Sequence, residues 1–531
     1  MPDLQADVVV IGFGAAGASA ALEAAAAGAD VLVIDRFGGG GATALSGGIV
    51  YAGGGTIQQI VAGVSDTPEA MFSYLRTETG DAVSEETLRE FCEGSKDLLA
   101  WLVEHGVPFE GSLCPDKTSY PTNRHYLYYS GSERSAAGVA PPAPRGHRAV
   151  GRGTSGAVLY AKLAAAVKSK SVRVLTQTRA TELIQDENGR VTGVICLSLA
   201  TAPGWAATAH RVLHKLGKKP FLYLGGPGRR MHRPVARLEK HHAKELRITA
   251  RKGVIIAAGG FIANRAMVRE HAPAYRGGLA LGTVADDGSG IGLGVAVGGE
   301  TRLLDRISCW RFITPPTTFL HGIVVDQKGE RIGDESRYGA ALGEAMITKH
   351  DRRAWLFLDQ PLVRESWRKL RGQTLWFQLM QAVYLLTRAR VSAGTIGQVA
   401  AKAGVDPAGL AAAVAACNEA AEAGRDPLGK PADLLRVLNS PPYSLIDLSV
   451  RPRPAYPAPM LTLGGLVVDE KTGHVRRSDG TPVDGLYAAG RSAVGICSNS
   501  YVSGLSLADC VFSGRRAGRH AAGEPLPTAE S

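Results

Sequence analysis

Residues 6–36, ADVVVIGFGAAGASAALEAAAAGADVLVIDR, leave this chain few folds to choose from. An apolar strand runs into a turn with glycines at 12, 14 and 17, an alanine-rich helix follows from Ala15 and Ala16, and a second apolar strand ends in Asp35 and Arg36. Each part has a physical task. Gly12 permits the tight turn, Gly14 lets the backbone approach a pyrophosphate, and Gly17 lets the helix sit close on the sheet. Asp35 stands at the distance expected for an acid that accepts a ribose hydroxyl. Strand, turn, helix and acid in this register predict an α/β, Rossmann-like dinucleotide-binding domain.

The remainder of the chain is consistent with a large folded protein. Its 531 residues, 45% apolar and 21% charged, are ample for a sizeable core and two domains, and they exclude a disordered or fibrous chain. No apolar run reaches eighteen residues, and the first residues lead into a strand without a basic leader or cleavage site. A cytoplasmic protein is expected. Seven cysteines form neither a CxxC pair nor a disulfide framework, so they read as reduced, mostly buried thiols.

After the second strand comes GGGGATALSGG, residues 38–48, rich in backbone donors and small hydroxyls. Ala42, Thr43, Ser46, Gly47 and Gly48 suit the wall of a long cofactor passing beneath them. Further on stand GRVTGVIC (189–196), KGVIIAAGGFIANRAM (252–267), DDGSGIGLGVAVGG (286–299), GERIGDE (329–335), LTLGGLVVD (461–469) and GLYAAGR (485–491). In this order they resemble the signposts of the flavoprotein family that includes fumarate reductases and 3-ketosteroid dehydrogenases. The resemblance spans nearly the whole chain.

It implies FAD lying extended between the first glycine turn and the GLYAAG strand. One discontinuous FAD-binding domain (1–278 and 445–531) then carries an inserted α+β cap with substrate contacts (279–444). Beyond the residues already named, the resemblance assigns Ala180, Ala258, Gly259, Gly490, Arg491, Leu505, Ser506 and Leu507 to the cofactor. Members that attach FAD covalently use a histidine near the second glycine-rich loop. This loop has none, so the FAD is expected to be noncovalent.

The family divides into two chemistries. Fumarate-type members hold a dicarboxylate between arginines, because a dianion needs fixed cations in bidentate geometry. Here the matching places, near Thr318 and in NSYVSGLS before the C-terminal helix, carry no arginine. Phenol and hydroxyl groups stand instead. Tyr501-x-Ser503 is similar to the motif of the 3-ketosteroid Δ4-(5α)-dehydrogenases, and GERIGDESRY puts Tyr338 where those enzymes and the Δ1 enzymes carry a tyrosine. The stretch 119–133, with Tyr126, resembles an early loop of the Δ4 group, and the run after Tyr501 lacks the Pro/Gly content of the Δ1 group. The resemblance therefore implies dehydrogenation beside the ketone of a small hydrophobic, steroid-like substrate, with Δ4 favoured over Δ1.

Such a reaction removes an α-proton and passes the β-hydrogen to the flavin as hydride. Tyr501, with a backbone N–H at Gly504 or Leu505, is expected to polarise the ketone. Tyr338 is the expected base and Ser503 its relay, unless Ser503 only caps the helix. Tyr126 and Gly504 are expected to touch substrate. The electron acceptor is read as a quinone or an artificial dye rather than bound NAD. Two alternatives stay open: a reductase of an enone or fumarate-like acid, and a flavin-binding module without turnover.

Charge adds a separate feature. Residues 205–247 hold eleven Lys or Arg against two Glu, nearly all of the chain's net +11, together with five histidines. The segment reads as an insertion in an otherwise β-rich stretch. TLWFQLMQAVYLLTRAR (374–390) is apolar with basic flanks and too short to cross a bilayer. The two read either as a peripheral contact with anionic lipid, through Trp205, Phe221, Leu222, Tyr223, Leu224, Trp376 and Phe377, or as a buried cap helix and a solvated basic loop. No nucleic-acid-binding module accompanies the basic residues, and no nucleic-acid partner is expected.

Overall fold

The computed structural model describes residues 4–224 and 226–523. Leu4–Ile11 pairs in parallel with Val31–Ile34, with Val8 opposite Val31, and helix Ala15–Ala26 crosses between them. All of Val31–Ile34 and most of Leu4–Ile11 are buried, as a parallel sheet covered on both faces requires. A Cβ on Gly12, at φ +104, would lie 2.5 Å from the Ala257 carbonyl oxygen, and one on Gly17 would lie 1.9 Å from that of Gly12. The turn closes only because both are glycine.

Distant parts of the sequence complete this sheet. Its strands run in the order His474–Arg476, Pro482–Ala488, Lys244–Ile256, Leu4–Ile11, Val31–Ile34, Arg173–Leu175. The C-terminal helix, Leu505–Ala522, packs along Ala15–Ala26. A Cβ on Gly514 would lie 2.4 Å from the Ala16 oxygen and one on Gly518 would lie 2.3 Å from that of Ala20, so the two backbones touch. Arg515 and Arg519 both reach Glu23, at 2.6 and 2.7 Å. Both ends of the chain thus build one body.

The middle of the chain forms a four-stranded antiparallel sheet, Ile323–Val325, Trp355–Leu358, Tyr443–Asp447 and Arg390–Ala393 in spatial order, with helices around it. A small sheet of Leu279–Ala280, Pro459–Thr462 and Ile307–Cys309 ties this cap to the final part of the chain.

The basic segment is helical. Val191–Ser198 runs antiparallel to Lys244–Ile256 with Ser198 opposite Lys244, so residues 199–243 leave and re-enter the sheet at one point. They fold as helices Gly204–Leu224, Gly226–Arg230 and Arg233–His242. Phe221 and Leu222, expected at a lipid interface, are buried instead, because the helix turns their face onto the core. The side chains of Tyr223 and Leu224 lie outside the described residues. Trp205 (61%) and Trp376 (75%) are exposed, whereas Phe377 packs against the cluster of Ile49, Tyr120 and Tyr128. The seven cysteines are free and all but Cys510 are buried. Among the described residues no helix is long and apolar enough to cross a membrane.

Candidate active site

The C-terminal helix opens at Gly504, whose φ of +93 suits glycine. A Cβ there would lie 2.8 Å from the Tyr51 amide nitrogen, so the close approach of strand Ile49–Tyr51 also requires it. No side chain caps this helix, which removes a capping role for Ser503. The Leu505 N–H turns back to the Val502 oxygen at 3.0 Å and cannot serve a ketone without breaking that bond. The first bond into the helix runs from the Ala508 N–H to the Gly504 oxygen, which leaves the Ser506 and Leu507 amides at the positive end of the helix.

Tyr501 and Tyr338 come together here from distant parts of the chain. Their ring centroids are 6.2 Å apart. Tyr338 stands immediately before helix Gly339–Lys349 of the cap, and its N–H donates to the Ser132 hydroxyl at 3.0 Å. Trp310 lies 5.0 Å from Tyr501, and Phe312 meets Tyr338 edge-on at 5.4 Å. These four rings make an aromatic wall with tyrosine hydroxyls set into it, a lining suited to a flat apolar molecule with a polar end.

Ser503 links the phenols. Its hydroxyl lies 3.3 Å from the Tyr128 hydroxyl, and its carbonyl accepts from Ser130 at 2.9 Å. Burial pushes the Tyr338 phenol well above its ordinary value, and the Ser503 hydroxyl beside it opposes that rise. Burial likewise raises Tyr128, against the same serine. Tyr501 is raised by burial, against the opposing effects of the Arg491 charge and the Gly504 N–H. All three tyrosines are therefore neutral donors near pH 7.

Tyr126 points elsewhere in this arrangement. Its hydroxyl reaches the Gly151 oxygen at 3.4 Å, and the Arg148 guanidinium lies 5.0 Å from its ring. Tyr128, two residues on, is the residue of that loop that meets Ser503. Trp310, Phe312 and Tyr128 were not singled out in the sequence. Trp310 and Phe312 stand two apart after strand Ile307–Cys309, the spacing that puts side chains on one face, whereas nothing local separates Tyr128 from Tyr126.

The strand ends Ile11, Ile34, Ile256 and Ala488 lie side by side at one edge of the main sheet, where sheets of this type bind ligands. Asp35 sits at that edge. It accepts from the Phe13, Phe37 and Gly39 amides at 3.0, 2.8 and 3.0 Å. Thr43 accepts from the Ala15 amide at 3.0 Å, while Ala16 and Gly17 remain in the first turn with no earlier helical carbonyl to bond. Ser46 braces the loop containing Ala42, donating to the Thr43 oxygen at 2.8 Å and accepting from Gly48 at 3.1 Å; the Gly47 oxygen accepts from Tyr120 at 2.7 Å. Ala180 lies in the adjoining antiparallel pair, opposite Cys196.

Ala258 and Gly259 follow the central strand. Gly490, at φ +59, passes so close to the first helix that a Cβ would lie 2.9 Å from that of Ala16. Arg491 pairs with Asp286 in the interior and keeps one buried guanidinium nitrogen without a partner. Two open helix N-termini, glycine-lined backbone and an unsatisfied buried guanidinium fit an anionic dinucleotide cofactor. Arg36 differs from the rest. Its guanidinium is taken up by Glu239, at 3.0 and 2.9 Å, and by Asp287 at 3.1 Å.

The two places where a dicarboxylate site would carry arginine, near Thr318 and in residues 499–506, have none. Thr318 is buried and bonded to Ser366 at 2.6 Å. Arg311 turns its guanidinium to the carbonyls of Ser449, Tyr456 and Pro457, each at 3.3 Å.

The model of the family described as FAD binding domain matches residues 7–504 of this chain. The chain is 38% identical over 494 residues to a 3-oxo-5-alpha-steroid 4-dehydrogenase of Comamonas testosteroni, covering 91% of this chain and 92% of that protein. It is similar in structure to a 3-ketosteroid-delta4-(5alpha)-dehydrogenase of Rhodococcus jostii RHA1 solved with 4-androstene-3,17-dione: TM-score 0.82, 32% identity, 98% of each chain covered. A flavocytochrome c3 fumarate reductase in its open conformation, 22% identical at TM-score 0.62 over 98% of this chain and 78% of that one, shares the fold.

Proposed function

The chain belongs to the FAD binding domain family, and from that premise we propose that it is an FAD-dependent oxidoreductase that desaturates a 3-ketosteroid between the carbons α and β to the ketone, in the Δ4 position. The observation that carries this reading is the gathering of Tyr501, Tyr338 and Ser503 around an aromatic wall, in a chain resembling two Δ4 enzymes along almost its whole length.

The flavin, when bound, supplies the acceptor for the β-hydrogen as hydride. Gly12, Gly14 and the first helix would hold its pyrophosphate, Asp35 its ribose, and Gly490, Arg491 and the start of the C-terminal helix its other end. Tyr501 donates to the ketone oxygen, with the Gly504 N–H beside it. One such donor, aimed at a carbonyl that gains enolate character, is worth about 3 to 4 kcal/mol. The α-proton passes to Tyr338 in its phenolate form, which becomes the phenol, and the hydroxyls of Ser503 and Tyr128 support that oxygen. Burial disfavours that phenolate, so the proton-accepting form of Tyr338 is scarce at neutral pH. The aromatic wall excludes water from the enolate.

The decisive measurement is anaerobic. A saturated 3-keto-5α-steroid is expected to bleach the flavin absorbance, and a quinone or dye to restore it. Bleaching by dithionite alone, with reoxidation by an enone, would replace the dehydrogenase with a reductase.

The substrate's poor solubility favours delivery from a bilayer. Trp205, Val212 and Leu216 are exposed on one helix with Arg211, Lys215 and Lys219, and Trp376 and Met380 are exposed on the cap helix beside the Tyr120 and Tyr128 cluster. Each basic residue near an anionic surface contributes about 1 kcal/mol, lost as salt screens it. Salt-sensitive cosedimentation with anionic liposomes is the expected result. Equal sedimentation after Trp205, Val212 and Leu216 are changed to Ser would remove this surface from the account.

A further inference from the structure

The excursion at 199–243 is not needed to build the sheet. Ser198 and Lys244 stand opposite each other in adjacent antiparallel strands, a connection that a tight turn makes in other proteins. The excursion does not hang in solvent either. Its helices fold back over Asp35, Arg36 and Phe37, the end of the second strand, where a Rossmann-type unit seats the ribose and adenine of a dinucleotide.

Each of these three residues has an inserted partner. Glu239 grips Arg36 through both carboxylate oxygens, at 3.0 and 2.9 Å, and accepts from or pairs with His210 at 3.2 Å. His214 stacks on Phe37, centroids 3.7 Å apart and planes within 4°, and His210 stacks farther along at 5.7 Å. Lys218 is half-buried and close enough to Asp35 for that carboxylate to support its charge. Gln177, whose N–H donates to the Phe37 oxygen at 2.8 Å, ties the same loop to the inserted Ala207 oxygen at 2.8 Å and to His210 at 2.9 Å.

These contacts leave polar capacity over. His214 and His232 are each 6% exposed, and Nδ1 of the former and both ring nitrogens of the latter have no partner among the described residues. Buried ring nitrogens without partners are costly unless a ligand meets them. We infer that the insertion is a clamp that closes over the adenosine half of the flavin dinucleotide, locked by Glu239 on Arg36 and faced with the histidines His210, His214 and His232. The inference rests on FAD being the cofactor and adds His210, His214, His232 and Glu239 to its binding site.

FAD release from the holoenzyme tests it, followed as the rise in flavin fluorescence after dilution. Glu239→Gln keeps the side chain's shape and removes its charge, and it is expected to speed FAD release about tenfold, in line with loss of a charge-assisted pair. Replacing 204–242 with a Gly/Ser linker is expected to speed it further. FMN, which lacks the adenosine half, is the control probe: its dissociation constant is expected to be the same in wild type and Glu239→Gln. Unchanged FAD release in both variants would overturn the clamp. So would equal weakening of FAD and FMN, which would mean that the insertion acts on the fold at large. A wild-type chain that holds no FAD would overturn the cofactor itself, a failure distinct from either.

Discussion

Tyr501 and Tyr338 differ in what they lose on removal of one oxygen atom. Tyr501→Phe deletes the donor to the ketone, and kcat is expected to fall about a hundred- to a thousandfold with FAD still bound. Tyr338→Phe breaks the hydroxyl chain at its substrate end and is expected to cost as much. Ser503→Ala and Tyr128→Phe break it farther along, where a water can bridge, so each is expected to cost about tenfold. Stopped-flow flavin reduction separates these four variants, and near-wild-type reduction in both tyrosine variants of the wall would end the mechanism. The titration has a fixed sign. Because burial raises the Tyr338 phenol, its proton-accepting form is scarce at neutral pH, and the rate of flavin reduction is expected to climb with pH without a plateau below about pH 10. At this scale the sequence showed Tyr501, Ser503 and Tyr338 through their motifs. Tyr128 was hidden because its partner, Ser503, is distant in the chain and meets it only when the loop folds under the C-terminal helix.

Two elements carry further predictions. The C-terminal helix touches the first helix through Gly514 and Gly518, where even a methyl group would strike the Ala16 and Ala20 oxygens. Gly514→Val is expected to destabilise the protein by about 1 to 3 kcal/mol, read as a lower denaturation midpoint with FAD partly lost. The inserted helices are held by Glu239. Burial opposes its charge, but hydrogen bonds from His210 and Arg36 outweigh that and hold its carboxyl down at about 2, below the ordinary 4.5. A depressed folded value stabilises the docked state above the unfolded value, and this contribution is lost as the pH falls from 4.5 toward 2. Wild-type stability is therefore expected to drop more steeply than that of Glu239→Gln across this acid window, with circular dichroism as the measurement. Composition announced the insertion through its basic residues and histidines. Its helices, and the burial of Phe221 and Leu222, followed from a docking face that a charge count does not reveal.

Across the whole molecule, the proposed FAD site is assembled from strand ends that are far apart in sequence, Ile11, Ile34, Ile256 and Ala488. The residues proposed to bind it offer backbone amides and polar side chains, and the loop at 38–48 carries no histidine. Acid precipitation is accordingly expected to leave the flavin in the supernatant; yellow colour held by the pellet would reveal a covalent bond. The sequence alone determined the dinucleotide unit, because glycines at 12, 14 and 17 and an acid at 35 answer steric and electrostatic demands within one stretch of about thirty residues. It also pointed to phenol chemistry in place of arginine, since the residue types at motif positions are visible without a fold. Only the tertiary structure decided which hydroxyls meet, that Arg36 belongs to Glu239, and that the basic insertion lies over Asp35 and Phe37. Those facts depend on contacts between segments hundreds of residues apart, and their energies exist only once packing has brought both partners out of water.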